Sequence, residues 1–221
     1  MLGEKLIQAY FTSAKALLKK GLDSEARLEQ AIDKIELHAE KLHDQLEKHA
    51  PHLLTADETE ISLIAEVGSD AIGTNTLAET NLAATLIKRP LVSVALASAE
   101  SFAAAEGGAQ VTAVATFSDV EGDDYSFTKV KTVTGSNFQV SKEILVGIDL
   151  LFWEGPDVEI VKEKNLIKDR LQTDIEDANV ATVEFSAHAE SENTLIYVAA
   201  DATVVENVLS TAYVSAELFI A

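Results

Sequence analysis

Apolar and polar positions alternate with a period of two along the end of the chain, from Val180 to Ala221, and predict three long strands. Ala181, Val183, Phe185, Ala187 and Ala189 share one side, with Thr182, Glu184, Ser186, His188 and Glu190 on the other. After the turn Ser191-Glu192-Asn193 both sides become apolar. Ile196, Val198, Ala200, Ala202 and Val204 oppose Leu195, Tyr197, Ala199 and Val205, interrupted by Asp201 and Thr203. Beyond Glu206-Asn207 the final strand sets Val208, Ala212, Val214, Ala216, Leu218 and Ile220 against Leu209, Tyr213 and Phe219. A sheet apolar on both faces must be covered on both. The rest of the chain supplies one cover, and a second subunit is the expected source of the other.

Near the start of the chain the period is that of a helix. Leu6, Ile7, Tyr10, Phe11, Ala14, Leu17 and Leu18 recur at helical spacing, with Lys15, Lys19 and Lys20 in the last turns and Gly21 as a stop. Residues 4–20 therefore predict an amphipathic helix, its lysines suited to the negative pole of the helix dipole. From Asp23-Ser24, an N-cap pair, a second helix is expected as far as Ala50, just before Pro51. Leu28, Ile32, Ile35, Ala39, Leu42 and Leu46 follow the alternating spacing of four and three of a heptad seam. That seam fits a hairpin with residues 4–20 and equally a coiled coil between subunits; Leu37, off the seam, favours a packed bundle. Thr55-Ala56-Asp57-Glu58 and Thr76-Leu77-Ala78-Glu79 each have capping-box spacing. They predict two further helices, one ending at Gly68 and one before Pro90. Residues 1–89 are thus expected to be four helices, with β structure from about Pro90.

In residues 91–105, Val92, Val94 and Leu96 alternate like a strand, whereas Leu96, Ala99, Phe102 and Ala103 recur like a helix. A strand followed by a short helical or looped piece is expected. Val111, Ala113, Ala115 and Phe117, then Tyr125, Phe127, Lys129, Lys131 and Val133, alternate on either side of an acidic loop from Asp119 to Asp124, the pattern of a hairpin. Gly135-Ser136-Asn137 turns the chain. Ile144 to Trp153 reads as a buried strand with helix as the rival, and Ile160, Ile167, Leu171 and Ile175 suggest a helix from Asp157 to about Asp177 laid across the sheet. Val94–Ser101 resembles Val183–Ser191, a compositional echo without a sustained period. The fold class that results is α+β, with an N-terminal helical hairpin or bundle over residues 1–89. An antiparallel β-sandwich or barrel-like domain with one packed helix follows over residues 90–221.

Composition narrows the function classes. A chain of 221 residues is long enough for one large or two small cores. It has no Cys, which removes disulfides, thiolate nucleophiles and Cys-based metal sites. The start, Met1-Leu2-Gly3-Glu4-Lys5, mixes acid and base and does not read as a secretory signal. The longest apolar run, Ile144–Trp153, contains Asp149 and falls far short of the ~18 residues of a membrane helix, so no membrane span is expected. Net charge is −20, unevenly placed: residues 1–89 hold 10 basic and 15 acidic side chains, residues 90–221 hold 7 and 22. After Arg170 there is no Lys or Arg against nine acidic residues. Such a surface repels a phosphate backbone and favours solubility, cations or a basic partner.

Candidate chemistry is sparse. Asp119, Glu121, Asp123 and Asp124 crowd a Gly-containing turn, the hard-oxygen setting of a calcium site, although an EF-hand loop from Asp119 would need Gly and Glu where Asp124 and Val130 stand. Solvated hairpin tips gather Asp and Gly for turn chemistry alone. Glu40-x-x-His43 has the spacing of one half of a di-iron motif, without the second half. No G-x-S-x-G, P-loop or G-x-G-x-x-G is present. The expected function is therefore that of a non-enzymatic structural subunit of a homo-oligomeric assembly, a virion component such as a phage capsid accessory or tail protein. Its partners are itself and other assembly proteins, not nucleic acid, with location in the virion or cytoplasm and no cofactor beyond calcium. Its interface residues are Leu28, Ile32, Ile35, Leu42, Leu46, Tyr197, Tyr213 and Phe219. The alternative is an acidic β-domain module or adaptor that recruits a basic protein or a small ligand.

Overall fold

A computed structural model describes residues 2–21, 25–55, 60–175 and 178–221. Two helices open the chain, α1 (Leu2–Gly21) and α2 (Glu25–His49), and a 3-10 turn follows at Pro51–Leu53. Their facing stripes, including Ile7, Phe11, Ala14 and Leu18 on α1 and Ile32, Ile35, Ala39, Leu42 and Leu46 on α2, are buried. The capping pair Asp23-Ser24 and the segment Ala56–Glu58 lie outside the described residues.

Ten strands follow among the described residues: β1 (Ile61–Ile72), β2 (Asn75–Arg89), β3 (Val92–Glu106), β4 (Val111–Glu121), β5 (Tyr125–Thr134), β6 (Phe138–Asp149), β7 (Val158–Ile167), β8 (Asn179–Glu190), β9 (Thr194–Val205) and β10 (Leu209–Ile220). They form two sheets and no closed barrel. Sheet A runs β4-β1-β10-β9 and sheet B runs β7-β5-β6-β3-β2-β8. All pairings are antiparallel except β2 with β8 and β5 with β7.

The sheets stack with a shared apolar layer built from alternate residues of each strand. Ile61, Leu63, Ala65 and Val67 of β1 and Val214, Ala216, Leu218 and Ile220 of β10 meet Leu82, Ala84 and Leu86 of β2 and Ala95, Ala97 and Ala99 of β3. Alanine on the inward side of β3 keeps this layer thin. Gly147 serves the same end on β6, since a Cβ there would sit 2.9 Å from the Val120 side chain of β4. On its other face sheet B carries the helical hairpin. Phe11 stacks on Tyr125 at 5.1 Å and lies 5.9 Å from Trp153, while Val94, Leu96, Val146 and Ile148 complete that second core. The order of layers is helices, sheet B, sheet A.

Several expectations are corrected. Residues 61–72 and 75–89 are strands rather than helices, so β structure begins at Ile61 and not at Pro90. The capping-box spacing at Thr76–Glu79 was misleading because Thr76, Ala78, Thr80, Leu82, Ala84 and Leu86 hold a period of two, and all six are buried. The second half of residues 91–105 is no helix, since β3 is continuous to Glu106. Among the described residues of 157–177 there is no helix: residues 158–167 form β7, in which Val158, Ile160 and Leu166 share one side. β4 and β5 are not a hairpin, because β4 belongs to sheet A and β5 to sheet B, and the acidic stretch between them crosses from one layer to the other. At that crossing Gly122 has φ 78°, and an added Cβ would sit 2.2 Å from the Glu60 carbonyl oxygen. The two helices and the three C-terminal strands stand where the periodicity puts them, whereas the strand expected over Ile144–Trp153 begins earlier, at Phe138, and ends at Asp149.

Candidate interaction surfaces

Among the described residues no element covers the outward face of sheet A. β10 buries Val214, Leu218 and Ile220 completely on its inward side and turns Tyr213 and Phe219 outward. Register sets Tyr213 beside Asp201, Glu217 beside Tyr197 and Phe219 beside Leu195. Leu195 and Tyr197 are 63% and 61% exposed. Carboxylates Glu66, Asp70, Asp119, Asp201 and Glu217 share this face, and none of the four strands contains Lys or Arg.

One side of the stack is open as well. β9 ends sheet A and β8 ends sheet B, so the two edges lie one above the other. Phe185 of β8 and Ile196 and Val204 of β9 point between the layers, yet all three are exposed because none of the described residues closes the gap. The opposite edge of sheet B is guarded: β7 carries Glu159, Lys162, Glu163 and Lys164, charges that discourage strand pairing. β9 has only Asp201 to do so.

The heptad seam is used inside the chain. Ile32, Ile35, Leu42 and Leu46 are buried against α1 and sheet B, and Leu28 packs on the same cluster. Within the chain the seam is therefore used in the hairpin arrangement, with Leu28 half-buried at its end. Arg89 of β2 makes a 2.5 Å bond to Glu190 of β8 within sheet B and approaches Glu36 of α2 at 4.0 Å. The hydrogen bond from Arg89 holds the Glu190 carboxyl below the usual carboxylate range.

The acidic crossing divides into exposed and structural carboxylates. Asp119 and Glu121 end β4 in the open. Asp124 is buried and its Oδ2 accepts the Leu150 N–H at 2.7 Å, which ties the crossing to the end of β6. Asp123 Oδ2 is buried without a hydrogen-bond partner. Burial, reinforced by the charge of Asp157, pushes the Asp123 carboxyl up to about 7. Among the described residues no three acidic or imidazole side chains converge to hold a metal. Asp124 Oδ2 is thus engaged by a backbone N–H, and the structure does not gather Asp119, Glu121, Asp123 and Asp124 into one cluster.

The fold gathers basic side chains that are scattered along the sequence. Lys129 and Lys131 of β5, Lys142 of β6 and Lys162 and Lys164 of β7 stand together on the outward face of sheet B, because the register pairs Lys131 with both Lys142 and Lys164. All five are exposed, with Lys142 bonded to Glu100 at 2.5 Å. The alternation of Lys129 and Lys131 was visible in the sequence; their neighbours needed the strand order. No described helix is long and apolar enough to cross a membrane. No protein-family model matches the chain, and no curated protein matches it.

Proposed function

We propose that the protein is a non-enzymatic structural subunit of a larger homo-oligomeric assembly, of the kind that builds a virion as a phage capsid accessory or tail component. The stacked sheets read as a sandwich whose open side is completed by a neighbour. The observation that carries this reading is β9, a twelve-residue edge strand with apolar side chains exposed on both faces. Contiguous exposed apolar surface of this kind marks an interaction site, and a long unguarded edge invites pairing with another chain. The outward residues Tyr197, Tyr213 and Phe219 extend the same surface across β10.

Purified protein is expected to run as a defined oligomer in size-exclusion chromatography with light scattering. A monodisperse monomer of 23.7 kDa over a wide range of concentration and salt would contradict the reading.

A further inference from the structure

Sheet B is two strands wider than sheet A, and the surplus lies on the side away from β9. β4 stacks over β6 and β3, so β5 and β7 extend past it with no described strand above them. The result is a ledge. Its wall is the open edge of β4, eleven residues long and without Lys or Arg. Its floor is the inward face of β5 and β7, and the cleft between them has a volume of about 320 Å³.

Register orders the floor into rungs. Glu163 and Glu143 flank Val130 on one rung, Val161 and Leu145 flank Thr128 on the next, and Glu159 lies beside Ser126 on the third. Glu143 is buried, and its carboxylate accepts a hydrogen bond from Ser118 with no cation in ion-pair range among the described residues. The lysines of β5 and β7 all sit on the opposite face.

A strand added beside β4 would lie about 4.8 Å from it and about 10 Å above β5, the ordinary spacings of paired strands and stacked sheets. That space is one layer thick. A second copy entering edge first with the same layer order would drive its own six-stranded sheet into β5 and β7, so a folded edge does not fit in that orientation. A single extended segment does.

We infer that the ledge accepts an extended segment of a basic partner protein, paired with β4 as a fifth strand of sheet A. Alternate side chains of that segment point at the floor, about 6.8 Å apart, the same repeat as the rungs. The segment therefore carries Lys or Arg against Glu143 and Glu163, an apolar residue two positions on against Val161 and Leu145, and Lys or Arg two further on against Glu159. Main-chain pairing supplies affinity and the alternate side chains supply specificity. This surface is separate from β9 and goes beyond the assembly reading.

The test is fluorescence anisotropy of a labelled, end-blocked peptide, Thr-Lys-Thr-Val-Thr-Lys-Thr, titrated with the full chain. Saturable binding is expected that weakens with salt. It should weaken about tenfold in Glu159→Gln/Glu163→Gln, whose exposed side chains leave the fold intact. Methylation of alternate peptide amides should abolish it, and Leu195→Asp/Tyr197→Asp should leave it unchanged, which separates this surface from the subunit interface. Absence of binding, or equal affinity for a peptide with Glu in place of Lys, for the methylated peptide or for the Glu-to-Gln variant, would overturn the proposal.

Discussion

The last two strands carry similar apolar patterns and end in opposite surroundings. β10 lies between β1 and β9 and above β2, so its inward Val214, Leu218 and Ile220 have no exposed surface. β9 lies at the edge, above the edge strand of the other sheet, and Leu195, Ile196, Tyr197 and Val204 remain open on both of its faces. Alternation along a strand says which residues require a cover; the order of strands says whether the chain provides it. For β10 it provides one face. For β9 it provides little of either.

The comparison predicts effects of very different size on the two strands. Val214→Asp places an unpaired charge in the layer between the sheets, and deletion of residues 214–221 removes three fully buried apolar side chains worth about 1.5–3 kcal/mol each. With total stability of a domain about 5–15 kcal/mol, both changes should abolish the cooperative melt seen by circular dichroism. A melt like that of the parent would show that β10 is not the centre of sheet A.

Phe11→Ala tests the other core. The side chain is fully buried between Tyr125 and Trp153, so its loss should cost about 3–5 kcal/mol and loosen the helical hairpin, seen as faster amide exchange in α1 and α2 than in sheet A. Uniform loss of protection in both sheets and the helices would mean that the layers unfold as one unit.

Asp123 gives a smaller, pH-dependent effect. Its folded carboxyl titrates near 7, well above the ordinary 3.8, so between those values the folded state holds a proton that the unfolded state has lost. Its contribution to stability therefore falls as pH rises from about 4 to about 7 and is level above that. Asp123→Asn should match the parent near pH 4 and melt higher than the parent above pH 7. Parallel melting curves at both pH values would show that the carboxylate is not strained by its burial.

Much of the fold was legible where one period ran for several turns or strands without competition. The stripe from Ile7 to Leu18 and the seam from Leu28 to Leu46 gave α1 and α2, and the alternation from Val180 onward gave β8, β9 and β10. The failures came where small residues blurred the pattern. In β2 the inward residues Thr76, Ala78 and Thr80 are neither large nor strongly apolar, and a four-residue capping signature outweighed them. β7 misled for another reason: Ile160, Ile167 and Leu171 fit helical spacing, but Val158, Ile160 and Leu166 form the half-buried side of a strand. The surfaces were less legible than the elements. The outward placement of Tyr213 and Phe219 follows from the alternation with buried Val214, Leu218 and Ile220, whereas the five-lysine face and the ledge beside β4 depend on which strands are neighbours and on one sheet being wider than the other. The heptad seam suited both an internal and an external partner, and the apolar face of α1 took it.

The most direct test of the claim that β9 and the outward face of β10 meet another subunit is oligomer mass against melting temperature for Leu195→Asp/Tyr197→Asp and for Tyr213→Asp. Exposed positions of this kind usually change stability by within about 0.5 kcal/mol, so both variants should melt close to the parent while light scattering reports 23.7 kDa monomers in place of the parent oligomer. Variants that assemble and melt as the parent does would show these faces to be plain solvent-exposed surface and contradict the account.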